Sequence, residues 1–295
     1  MKLTHNRAIL LMVVVAFMWA TAGVVTRHLY AARSFEVTFW RALFTAVSLL
    51  VLLPFARGRN VFANIRHAGR AFWISGVCWS VMFTAYMVAL TLTTVANVLI
   101  TMSLGPLMTA LIARIFIGHR IALRTWVAIV VAGLGIAYMY APQIAGGELV
   151  GTLVALCVPI AAASNWTVTQ SAHAQGRDVD LVPAVFVGAV ISMLVTLPMA
   201  IPFQATAHDL KLLAYLGVFQ LAIPCVLAVL CAGVLKAPEI SLLALLEVLF
   251  GILLVWIGAG EAPNTTVLVG GTLVVGALIA NELLGWKQRN GEIAL

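Results

Sequence analysis

The chain has 295 residues, of which 63% are hydrophobic and 9% charged, and a formal net charge of +7. A soluble domain of this size carries about a quarter charged residues to cover its surface, so lipid is the expected solvent and a soluble globular enzyme is excluded. The basic residues sit in short breaks between apolar runs, without the basic stripe and interleaved aromatics that nucleic-acid binding requires.

A helix that crosses a bilayer needs about 20 mostly apolar residues. In chain order, ten such spans are predicted: Ala8–Leu29, Phe35–Phe55, Gly69–Leu90, Thr94–Ile117, Ala122–Tyr140, Leu149–Ser171, Leu181–Ile201, Leu210–Leu235, Ile240–Ala259 and Thr265–Trp286. The first has basic flanks like a signal peptide, but it is too long and lacks a cleavage site, so it reads as a retained helix. The joints are short and carry stop signals at Pro54, at Pro142 with Gly146 and Gly147, at Pro202 and at Pro263. Cys78, Cys157, Cys225 and Cys231 all lie inside apolar runs without CxxC spacing, and read as small hydrophobes rather than disulfides or metal ligands.

Orientation follows from Lys and Arg in the joints. With the N-terminus inside, the cytoplasmic side collects Lys2, Arg7, Arg57, Arg59, Arg66, Arg70, Arg114, Arg120, Arg124, Arg177, Lys236, Lys287 and Arg289, and the other side only Arg27, Arg33 and Lys211. Both termini are therefore expected in the cytoplasm. The stretch from Ala96 to Tyr140 is echoed by that from Ile240 to Glu282, with Gly118-His119 falling on Gly260-Glu261, Pro106 on Val248 and Gly105 on Glu247. The expected architecture is all-α and polytopic, with a first five-helix repeat in residues 1–143 and a second in 144–295. An odd number of spans per half makes the repeats inverted, and such a pair surrounds a pathway near the midplane that opens to one side at a time.

Trp19, Arg41 within Phe39-Trp40-Arg41-Ala42-Leu43, the run Leu104-Gly105-Pro106-Leu107 and the joint Ile117-Gly118-His119-Arg120 resemble the EamA-type branch of the drug/metabolite transporter superfamily. The second joint keeps Gly260-Glu261, whereas His119 replaces the usual Glu and Glu247-Val248 departs from the usual Glu-Pro pair. Within that family, the N-terminal segment and aromatic content are most similar to YddG-type exporters of aromatic amino acids and related metabolites. The resemblance implies a secondary carrier, with spans one to four and six to nine around a cavity and spans five and ten outside it.

Several groups can carry the chemistry. Glu247 lies mid-span, where a carboxylate costs several kcal/mol unless neutralised, paired or wetted; it reads as a proton or cation-substrate site, or as a structural partner of Arg41. Arg41 can meet a substrate carboxylate bidentately or lock its helix to a neighbour. Trp79, Phe83, Tyr86 and Leu90 share one helical face, which suits either an aromatic substrate wall, with Trp79 and Tyr86 in contact, or ordinary packing. Asn97 and Thr101 in span four, and Asn165, Trp166 and Thr169 in span six, offer amide, hydroxyl and indole groups to an amino acid or to a neighbouring helix. Trp19 suits a gate or tight packing. Pro106 and Pro159 invite bends that can serve as hinges.

No P-loop or Ser/His/Asp arrangement is found, so neither ATP-driven pumping by this chain nor hydrolysis is expected. No cofactor or metal is expected. The reading is a secondary transporter of the inner membrane that exports amino acids, aromatic or broadly neutral, and related small metabolites; a multidrug or other metabolite exporter and a channel are the alternatives. The partners expected are a small-molecule substrate and the lipid bilayer, and both a monomer and a homodimer fit.

Overall fold

A computed structural model describes residues 3–32, 34–63, 65, 68–117, 122–144, 149–174, 182–232, 234–235, 243–244 and 246–292. Its helices are α1 (His5–Thr26), α2 (Ser34–Arg57), α3 (Arg70–Leu92), α4 (Val95–Met102), α5 (Gly105–Ile117), α6 (Leu123–Ile144), α7 (Leu149–Ala174), α8 (Val182–Ala200), α9 (Ala207–Tyr215), α10 (Ile223–Ala232), α11 (Leu246–Ala259) and α12 (Thr265–Glu292). No strand occurs among the described residues. In lipid only such internally hydrogen-bonded segments can cross, and the protein is an all-α polytopic membrane protein. Among the described residues seven stretches are long and apolar enough to span a bilayer, and Leu123–Tyr138, Leu149–Asn165 and Leu246–Ala259 are shorter apolar helices. The joint at Gly118-His119, and Arg33, Arg66, Arg120, Arg177 and Lys236, lie outside the described residues.

Two predicted spans depart from simple helices. The fourth is interrupted between α4 and α5 at Ser103 and Leu104. Proline lacks an N–H and its ring crowds the carbonyl four residues back, so Pro106 ends the regular ladder at Met102; Ser103 then turns its hydroxyl onto the Ile100 carbonyl at 2.6 Å. The eighth predicted span is a rod in which a π-helical stretch, Leu216–Ala222, joins α9 to α10. Wider π turns re-aim side chains and recur at functional sites. Pro159, by contrast, lies inside the uninterrupted α7.

The helices pack as a ring. Taking α4–α5 and α9–α10 as single rods, the main neighbours run α1 to α11, α11 to α4, α4–α5 to α7, α7 to α3, α3 to α8, α8 to α2, α2 to α9–α10, and α9–α10 back to α1. Members from before and after residue 145 alternate all the way round. Replacing each rod by its counterpart in the other half turns this order of neighbours into itself. α6 and α12 pair with each other outside the ring, joined by a 2.8 Å hydrogen bond from Thr125 to Asn281.

Without water to drive association, membrane helices rely on close packing at small residues. A Cβ at Gly217 would lie 2.5 Å from Phe44 Cβ and 2.9 Å from the Arg41 carbonyl oxygen, so the π segment rides directly on α2. The same crossing recurs between α3 and α8, where a Cβ at Gly76 would meet Val187 Cγ1 at 3.0 Å and the Ala184 oxygen at 3.7 Å. Gly217 follows Gly76 by 141 positions, and Ala184 and Val187 follow Arg41 and Phe44 by 143. Gly217→Ala is therefore expected to destabilise by about 1–3 kcal/mol through overpacking. Gly133→Ala, whose Cβ would meet nothing within 4 Å, is expected to stay within about 0.5 kcal/mol of the parent. Thermal unfolding in detergent measures both.

Candidate functional site

At one end of the ring the joints α1–α2, α3–α4, α8–α9 and α11–α12 meet, and polar side chains tie them across the halves. Arg27 donates from Nε to Glu261 at 2.6 Å, from Nη1 to the Leu90 carbonyl at 2.8 Å and from Nη2 to the Thr93 carbonyl at 2.9 Å. It thereby satisfies carbonyls left open at the end of α3. Glu261 in turn accepts the Val95 N–H at 2.9 Å, at the start of α4. Gly260 can aim that carboxylate because it ends α11 at φ 68°, a conformation favourable to glycine.

Two buried carboxylates complete this end. Glu36 accepts the Gln204 N–H at 2.9 and 3.0 Å, the Ala205 N–H at 2.8 Å and the Trp40 indole N–H at 3.3 Å. Asp209 accepts the N–H groups of Tyr30, Ala31 and Thr206 at 2.8, 3.1 and 3.0 Å. It also forms a capping box with Thr206 at the start of α9. Each carboxylate replaces lost hydration with backbone donors, which is what makes a buried acid tolerable.

About two turns below this end lies a buried charge. Arg41 is 3% exposed and points Nε and Nη2 at one acceptor, Gln220 Oε1, at 3.2 and 2.8 Å. Gln220, 2% exposed, donates from its amide nitrogen to the Trp19 carbonyl at 3.1 Å. One side chain on the π segment therefore bridges α2 and α1. The Arg41 guanidinium lies 5.6 Å from the centre of the Tyr86 ring, within cation–π range. The buried Tyr86 hydroxyl has no hydrogen-bond partner among the described residues. Thr45 donates to the Arg41 carbonyl at 2.8 Å and the Gly217 carbonyl at 3.2 Å, fixing the crossing beneath the guanidinium. Glu247, half-buried in the first turn of α11, and Cys225 of α10 stand within electrostatic reach of Arg41.

Of the residues expected at a site, Trp19, Arg41, Tyr86 and Glu247 come together here. Trp79 does not join them: it packs on Gly188 of α8 and lies 5.5 Å from Phe83, centre to centre, within the α3–α8 packing. Asn97 and Thr101 are fully buried near the α3–α4 joint, where Asn97 donates to Thr93 Oγ1 at 3.0 Å and Thr101 to the Asn97 carbonyl at 2.7 Å. Asn165 is buried on α7. Trp166 and Thr169 follow on that helix, and their side chains lie outside the described residues. Pro106 is half-buried beside the α4–α5 break, and Pro159 is buried in α7. Sequence reasoning missed Gln220, whose only signal was an amide inside an apolar run. It also missed Glu36 and Asp209, which stand beside joints in the sequence.

Fold and site together define a polytopic helical membrane protein whose two halves share a buried polar centre. Residues 6–141 match the EamA-like transporter family. An uncharacterized transporter of Vibrio cholerae serotype O1 (strain ATCC 39315 / El Tor Inaba N16961) is 26% identical over 135 residues, which are 44% of this chain and 44% of that protein; the match thus spans less than half of that relative. A crystal structure of another protein aligns over 95% of this chain and 99% of its own with a TM-score of 0.63 at 18% identity, a likeness of fold.

The tied end generates a prediction. Glu36→Ala removes the carboxylate that accepts the part-buried backbone N–H groups of Gln204 and Ala205, hydrogen bonds to a charged group worth about 1.5–3 kcal/mol each. The thermal midpoint in detergent is expected to fall by far more than for Lys211→Ala, an exposed position on α9. Equal midpoints for the two variants would contradict a carboxylate-held joint.

Proposed function

We propose that the protein is a secondary transporter of amino acids, aromatic or broadly neutral, and related small metabolites, working by alternating access across the inner membrane. The observation that carries this reading is the centre itself, where Arg41 from one half and Glu247 from the other stand among Tyr86, Gln220 and Trp19. An amino acid presents a carboxylate, an ammonium and a side chain. Arg41 offers the first a bidentate donor, Glu247 offers the second an opposite charge, and Tyr86 with Trp19 offers the third an aromatic surface.

The arrangement of helices supports two inverted five-helix repeats. The family match ends at residue 141, beside the boundary expected at 143, and the order of neighbours around the ring is unchanged when the halves are exchanged. Ten spans with cytoplasmic termini put the tied end, which holds Arg27 and Lys211, on the outer side. Export is the direction that the family resemblance implies. A metabolite or drug carrier of the same superfamily and a channel are separated from this reading by the test.

In proteoliposomes loaded with phenylalanine, saturable counterflow of labelled aromatic and neutral amino acids is expected. Tyr86→Ala should lower its rate at least tenfold, whereas Trp256→Ala, 54% exposed on α11, should leave it unchanged. Flux without saturation or counterflow would make the protein a channel. Folded protein that exchanges drugs or other metabolites but no amino acid would replace the substrate class.

A further inference from the structure

We propose that Gln220 occupies, in the substrate-free protein, the edge of Arg41 that a substrate carboxylate takes on binding, and so sets the preference for carboxylate-bearing metabolites. This deepens the transport reading and rests on it. The Nε and Nη2 hydrogens of Arg41 converge on the Gln220 amide oxygen at 3.2 and 2.8 Å. They form the side-on pair of donors that a carboxylate engages with two oxygens. An amide oxygen fills that edge with a single neutral acceptor.

Three further observations point to an anion. Among the described residues no carboxylate forms an ion pair with Arg41, so a cation 3% exposed is hydrogen-bonded here to a neutral group. Glu247 stands within electrostatic reach of Arg41 without an ion-pair contact, and a buried charge is costly until an opposite charge meets it directly. The Tyr86 hydroxyl, on a residue 5% exposed, has no partner among the described residues, and its ring carries the guanidinium. A third donor is thus available beside the first two. Lastly, Gln220 sits on the π-helical stretch Leu216–Ala222, where wider turns re-aim side chains, and among the described residues it hydrogen-bonds both Arg41 and the Trp19 carbonyl. A carboxylate that takes the Arg41 edge releases the amide oxygen of Gln220 and leaves its amide nitrogen on Trp19. The exchange gives up the two hydrogen bonds from Arg41 to the Gln220 amide oxygen and gains a charged pair.

The test uses the full chain in detergent and follows the thermal midpoint against 3-phenylpropionate, its uncharged amide 3-phenylpropanamide, and 2-phenylethylamine. Wild type should be stabilised by the carboxylate and not by the amide. Gln220→Met removes the competing acceptor, and the half-maximal carboxylate concentration should fall about tenfold. Gln220→Glu supplies a resident carboxylate, and that concentration should rise at least tenfold while the response to 2-phenylethylamine is kept or strengthened.

Equal stabilisation of wild type by carboxylate and amide overturns the proposal, and this arm stands even if neither variant folds. So does a Gln220→Met protein, monodisperse by size exclusion, with a weaker carboxylate response. The variant pattern without counterflow of any amino acid would remove the transport reading and keep this role for Gln220. Counterflow with variants that respond as wild type would remove the role and keep transport.

Discussion

An arginine buried within a membrane helix must find acceptors inside the protein, because the lipid around it supplies none. Arg41 finds them on a helix from the other half of the chain, and the structure around it follows from that demand. Gln220 has to reach across, so α2 and the α9–α10 rod must cross closely; Gly217 is the residue that lets them. The rod has to turn Gln220 towards Arg41 and Trp19 together, and a π-helical stretch lies at that point. Thr45 then satisfies itself on carbonyls of both helices. Charge, glycine and helix irregularity form one solution to one problem.

The ring of alternating halves has the same logic on a larger scale. Every main side-by-side contact in it joins a helix of one half to a helix of the other, so neither half has a core of its own. Polar bonds between halves recur along its height, from Glu36 and Asp209 at the tied end, through Arg41 and Gln220, to the 2.8 Å contact of Thr84 with Ser192 between α3 and α8. Apolar packing in lipid is weakly directional, whereas a hydrogen bond with no water to replace it fixes register. These bonds hold the depth of each helix against its neighbours.

Most of the helical architecture was legible in the sequence because the bilayer imposes length and apolarity on each segment. The interruption of the fourth span was signalled by Pro106, and its place at Met102 follows from the reach of a proline ring. A pairing of Glu247 with Arg41 was one of the readings, but Trp19 and Tyr86 were foreseen only as separate candidates, since depth in a span says nothing of azimuth. Gln220 was invisible for a related reason. Ordinary α-helical periodicity does not hold through Leu216–Ala222, so the pattern could not tell which way the amide points. Trp79 shows the converse: it shares a helical face with Tyr86, yet seven residues of separation and a neighbouring glycine put it in the packing between α3 and α8.

The two ends of the ring differ in a way that bears on movement. Away from the tied end, α1 meets α10 through Ala8, Met12, Val15 and Cys231, an apolar contact with one thiol donating to the Ala8 carbonyl at 3.5 Å. Such a contact opens without leaving a charge unpaired. At the tied end the bonds are of two kinds. Glu36 and Asp209 are 1% and 0% exposed, so a carboxylate freed from its backbone amides there would have to be rehydrated from a buried position. Arg27 and Glu261 keep 27% and 23% of their side chains exposed, so water can take over their bonds as they part, and the net cost falls towards that of a surface pair. On the transport reading, then, an opening at this end is cheaper between α1 and α11 than between α2 and the α8–α9 joint. That places it on the side of the ring from which Glu247 approaches Arg41.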